Sequence, residues 1–93
     1  MWQVLEHKRL DRRLKTLPVE ILKRYEKWKD IVSINGPLGL REIRGFNDEA
    51  LKGQWDGFRS SLIGQKYRVI YRVKATEVMV QVIDLTAHDY RRK

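Results

Sequence analysis

Arg59, Arg68 and Arg72, with His88 downstream of them, are the side chains whose types and spacing could do chemistry in this sequence. Arginine stays charged at any working pH, and its planar donors grip phosphate oxygens in pairs. Histidine, with an unperturbed pKa of about 6.5, is the natural carrier of a proton near neutrality. Together they match the needs of metal-independent RNA cleavage. That reaction wants a base for the 2′-hydroxyl proton, cations to neutralise a phosphorane-like transition state, and an acid for the leaving 5′-oxygen. The second histidine, His7, falls in a charged stretch near the N-terminus. A metal mechanism would ask for clustered carboxylates, and Asp48-Glu49, Asp84 and Asp89 show no ligand spacing, so neither metal nor cofactor is expected.

Three strands must position these groups. With Gly64-Gln65 read as a two-residue hairpin turn, Ser61 faces Arg68, Arg59 faces Ile70 and Leu62 faces Tyr67. Alternation then sends Arg59, Arg68 and Arg72 to one face, and Phe58, Leu62, Tyr67, Val69, Tyr71 and Val73 to the other. A second turn near Ala75-Thr76 adds Val78, Val80 and Val82 to the apolar face. Upstream, Trp2 to Leu5 reads as an edge strand and His7 to Lys15 as a charged helix carrying Leu10 and Leu14. From Pro18, the stripe Ile21, Leu22, Tyr25, Trp28 and Val32 predicts an amphipathic helix that stops at Asn35-Gly36-Pro37. The expected class is α+β: a short strand and helices, then a three-stranded antiparallel meander with the helices on its apolar face and the arginine face open. The stretch from Leu38 to Trp55 carries no clear period.

Ninety-three residues, 42% of them hydrophobic, make one domain, 1–93, with one core. Twenty Lys and Arg against twelve Asp and Glu leave a formal charge of +8, which favours a polyanionic partner, nucleic acid first, or an acidic protein. The absence of cysteine excludes disulfides and thiolate metal sites and fits a reducing cytoplasm. The apolar stretch at the N-terminus is too short for a signal peptide or a membrane span, so no membrane association is expected.

Leu51-Lys52-Gly53 followed by Trp55, then Gly57-Phe58-Arg59, the run Tyr67-Arg68-Val69-Ile70-Tyr71 and a last strand ending at His88 resemble the RelE/ParE superfamily of bacterial toxins. The resemblance implies a RelE-like fold and a basic toxin neutralised by a cognate antitoxin protein. In the RelE and YafQ-like branch it implies an endoribonuclease that cuts mRNA, typically in the ribosomal A site, and halts translation. Arg68 falls where that branch keeps the arginine that holds the scissile phosphate, and Arg59 close to a basic residue of the preceding strand. His88 stands where RelE has an arginine and the YafQ-like branch a histidine, the candidate general acid or base. Glu49 occupies the position of a YafQ-like histidine and is a candidate for the other proton transfer. Tyr90 stands near, though not at, the place of RelE's C-terminal tyrosine. Lys52, Arg72, Tyr90 and Arg91 complete the expected RNA-binding set.

Each assignment has a plainer counterpart. The arginines could be the solvated face of an antiparallel sheet, Arg72 a partner of Glu77, Glu49 a partner of a lysine, and Trp55 a packing residue. The ParE branch of the superfamily implies a different function, inhibition of DNA gyrase by protein binding without catalysis. A basic RNA-binding module without catalysis is the third reading.

Overall fold

Strand β1 (Gln3–Glu6) leads into a short helix α1 (Leu10–Leu14), a long helix α2 (Val19–Asn35) and a single turn α3 (Leu38–Arg41). Strands β2 (Glu49–Ala50), β3 (Arg59–Gly64), β4 (Tyr67–Lys74) and β5 (Met79–Thr86) follow. The computed structural model describes residues 1–87. Short 3-10 turns occupy Arg44–Phe46, Gly53–Trp55 and Ala75–Glu77.

The apolar stripe makes α2 the central packing element. Ile21, Tyr25, Trp28 and Val32 are buried on it, meeting Ile63, Val69, Tyr71, Val80, Val82 and Leu85 of the sheet and Leu10 of α1. Each such side chain taken fully out of water contributes about 1.5–3 kcal/mol. Trp28 sets its edge against the Tyr71 ring at 5.3 Å between centroids, tying helix to sheet. Pro18 precedes the first turn of α2, and Gly36 closes the last by donating its N–H to the Val32 carbonyl. Gly36 has φ of 77°, and a Cβ there would come within 2.7 Å of Trp2 Nε1, so only glycine fits between the helix end and that indole.

The described residues form one five-stranded sheet in the order β1-β5-β4-β3-β2. β1 runs parallel to β5, and the other pairs are antiparallel. The expected meander and edge strand are present, and helix α1 is shorter than expected because residues 7–9 form a turn in which His7 Nδ1 accepts the Arg9 N–H at 3.1 Å. β2 was not foreseen, since two residues are too few for a period to show.

The register differs from the sequence expectation by one residue. Gly64 pairs with Tyr67, so the turn is Gln65-Lys66, with Gln65 at φ of 50°, and a bulge separates Leu62 from Gly64. Beyond it Leu62 faces Arg68, Ser60 faces Ile70 and Arg59 faces Tyr71. A one-residue slip moves every side chain to the other face. Arg59 therefore shares the helix-covered face with Tyr71, and Phe58 lies with Arg72 on the opposite one. Val78 is likewise displaced from the apolar face: it caps the Ala75–Glu77 turn at φ of 51° and is exposed.

Candidate active site

Arg68, in the middle of the sheet, is held from three directions. Its Nε donates to Ser60 Oγ in a short hydrogen bond, and one Nη donates to the Asn47 carbonyl at 3.2 Å and to Glu49 Oε2 at 3.4 Å. Ser60 sits on the same face because it pairs with Ile70, two residues from Arg68, and Glu49 joins them because β2 pairs it with Ser60. The expectation of an open arginine face is corrected here. Arg68, Ser60, Ile70 and Thr86 are all buried, and the segment carrying Asn47 and Glu49 folds against the guanidinium. Removing a charge from water is costly unless its donors are satisfied, and these bonds meet that cost while fixing the plane of the fork. Glu49 is less enclosed, its side chain 39% exposed, so its carboxylate reaches solvent beside the buried cation.

Farther along this face, Arg72 donates from Nε to Gln81 Oε1 at 3.0 Å, its cross-strand neighbour, and its guanidinium lies 5.5 Å from the centre of the Phe58 ring. Gln81, rather than Glu77, is its partner. Phe58 meets Trp55 edge-on at 5.4 Å. Trp55 is thus a packing residue that remains half-buried rather than sealed in the core. Lys52 is exposed just before that turn.

Arg59 is organised separately. Its guanidinium meets Asp48 Oδ1 at 2.8 Å, and the same carboxylate accepts hydrogen bonds from the hydroxyls of Ser61 and Tyr71. The Asp48 side chain is fully buried. Burial works against the Arg59 charge, but the hydrogen bond and charge of Asp48 outweigh it and raise the Arg59 pKa above its ordinary value. The Tyr71 hydroxyl is also pushed up, first by burial and then by the adjacent Asp48 charge. Arg59 and Arg68 consequently do not converge on one phosphate: the register places them on opposite faces.

Of the predicted set, Arg68 and Glu49 are brought together, Arg72 lies on the same face, and Arg59 is engaged elsewhere. His88, Tyr90 and Arg91 lie outside the described residues. Sequence reasoning missed Ser60, whose parity with Arg68 was hidden by the bulge, and Asn47, which contributes only a backbone carbonyl. Asp48, which in the sequence stands only as a carboxylate without metal-ligand spacing, is the shared acceptor of Arg59, Ser61 and Tyr71. Among the described residues no group of three or more His, Cys, Asp or Glu side chains is arranged to hold a metal ion, and no helix is long and apolar enough to cross a membrane.

The mixed fold of three helices and a five-stranded sheet matches that of solved toxin structures that include RelE, YafQ and YoeB/ParE chains. A chain of the archaeal RelE–RelB complex from Pyrococcus horikoshii is 24% identical and superposes with a TM-score of 0.73, covering 99% of this chain and 97% of its own. A metal-bound toxin from Helicobacter pylori is 22% identical with a TM-score of 0.74, covering 95% and 96%. A YafQ mutant from E. coli is 14% identical with a TM-score of 0.68 and covers 91% of each. No family model matches the sequence, and no curated protein matches it.

Proposed function

We propose that this chain is the toxin of a toxin–antitoxin pair, an mRNA endonuclease that acts in the cytoplasm with the help of the ribosome and stops translation. The observation that carries this reading is the buried Arg68 fork set beside the solvent-reaching carboxylate of Glu49. An arginine already oriented by Ser60 and Asn47 lies ready for the charge that develops on a phosphate, at little reorganisation cost. A phosphate oxygen arriving at Arg68 competes with Glu49 for the same Nη, which frees the carboxylate to take the 2′-hydroxyl proton. His88 supplies the proton to the leaving 5′-oxygen, and Lys52, Arg72, Tyr90 and Arg91 hold the RNA on either side. Arg59 is left out of the reacting group because Asp48 holds it on the other face. The likeness to chains of RelE–RelB and YoeB–YefM complexes supports a cognate antitoxin as partner.

The test is primer extension on a defined mRNA in a purified translation system, with and without ribosomes, comparing wild type with His88→Ala and Arg68→Ala. Discrete ribosome-dependent cuts that fade in both variants are expected. The similarity to a YoeB/ParE toxin from Agrobacterium tumefaciens keeps a gyrase-directed reading in view. Intact message in every lane, with loss of DNA supercoiling by gyrase, would replace the first reading with that one.

A further inference from the structure

A further cationic surface lies around α1, beside β5, and meets the arginine face at Asp84, which pairs with Ile70. α1 turns Leu10 into the core, fully buried, with Leu14 half-buried behind it. Its outward residues border an open groove of about 1040 Å³, into which Lys8, Arg9, Arg12, Arg13 and Lys15 contribute, with His7 at its rim. Two carboxylates belong to the groove. Asp84 is buried and pairs with Arg13 at 3.2 Å and Arg9 at 4.0 Å, while Asp11 is exposed. Among the described residues, Lys8, Arg12 and Lys15 have no carboxylate within ion-pair distance, and all three are exposed.

We infer that this groove binds the phosphate backbone of a folded, duplex-containing RNA. The chemistry of its lining selects that partner. A protein interface is built on buried aromatic or aliphatic anchors, and among the described residues this groove offers none, since Leu10 and Leu14 point inward. Single-stranded RNA is held by stacking its bases on aromatic rings, and among the described residues no Trp, Tyr or Phe lines the groove. Duplex RNA is recognised by shape and phosphate contacts, which clustered Lys and Arg supply. Arg9 and Arg13, tethered to Asp84, provide a preset base, and the three unpaired cations provide the mobile contacts. Trp55, Phe58 and Arg72, farther along the arginine face, form a cluster of the opposite character, suited to a single strand. The inference goes beyond the proposed cleavage and does not depend on it.

The experiment is fluorescence anisotropy with a labelled 12-base-pair RNA hairpin, titrated by the full chain across a salt series. The patch variant Lys8→Glu/Arg12→Glu/Lys15→Glu is compared with the control Lys23→Glu/Arg41→Glu/Lys66→Glu, which makes the same charge change on α2, at the end of α3 and in the β3–β4 turn. The patch variant is expected to bind at least about 30-fold more weakly near 0.15 M salt, with the log–log salt slope reduced by about 2–3, and the control less than about 5-fold more weakly. Lys8→Gln/Arg12→Gln/Lys15→Gln gives an intermediate loss and replaces the Glu variant if circular dichroism shows that one misfolded. Unchanged hairpin binding in the patch variants, or equal loss in the control, overturns the inference. Competition by polyglutamate as strong as by unlabelled hairpin overturns it too, by marking a surface for acidic protein. Cleavage of single-stranded message is measured in parallel: patch-dependent hairpin binding without cleavage removes the nuclease reading alone, and cleavage without patch-dependent binding removes the groove alone.

Discussion

Asp48 and Glu49 are consecutive in the chain, yet their carboxylates engage arginines on opposite faces of the sheet, Asp48 with Arg59 at 2.8 Å and Glu49 with Arg68 at 3.4 Å. One residue of strand alternation thus separates a buried structural pair from the pair at the candidate active site. The two pairs are mechanically linked, because the anchor at Asp48 holds the strand that presents Glu49.

Asp48→Ala leaves the Arg59 charge and the Tyr71 hydroxyl without their common acceptor in a largely enclosed place. The expected loss of stability is about 2–4 kcal/mol, read as a lower urea midpoint at unchanged m. The double variant Asp48→Leu/Arg59→Leu should recover at least half of that loss, since no lone charge remains.

Arg68→Lys and Arg59→Lys should part company. At Arg68 a lysine keeps the charge and loses the fork, so message cleavage should fall about 10²-fold or more. At Arg59 the same change should leave cleavage within about threefold and lower stability by about 1 kcal/mol. Equal effects on cleavage would place both arginines in the reacting group.

Glu49→Gln removes the carboxylate beside Arg68 and keeps its shape. With Ser60 and Asn47 still bonded to the guanidinium, stability should change by less than about 1 kcal/mol. The cleavage rate constant should fall about 10²-fold or more, with KM unchanged or lower because Arg68 no longer has a competing anion.

Tyr25 and Tyr71 give the protein an alkaline limit. Both hydroxyls are raised by burial first, then by Glu6 for Tyr25 and Asp48 for Tyr71. A raised pKa in the folded state stabilises the neutral form, so this contribution is complete below the unfolded value of about 10 and is lost as pH climbs above it. Urea midpoints should hold to about pH 9.5 and then decline, and Tyr25→Phe/Tyr71→Phe should flatten the decline. Lys29, whose burial opposes its charge while Glu6 and Glu26 raise its pKa by a larger sum, stays protonated through the onset of that decline.

Much of this fold can be read from residue order. Ile21, Tyr25, Trp28 and Val32 announce α2, and alternating apolar positions in 67–73 and 80–82 announce the last two strands. The faces of β3 could not be read, because Gly64 looks like a turn residue and instead ends the strand beyond a bulge. That single unpaired residue exchanged the surroundings of Arg59 and Ser60. The partners of Arg68 were equally hidden, since a backbone carbonyl from residue 47 leaves no mark in side-chain chemistry.

The parallel pairing of β1 with β5 has a consequence for biogenesis. The first strand cannot find its neighbour until the last has been made, so the longest-range contact in the sheet is the final one available to the nascent chain. Arg68 depends on the same delay, because β4 remains an open edge until Thr86 arrives opposite it. Closure of the sheet therefore waits on β5, and the arginine face is assembled only once that strand is available to both β1 and β4.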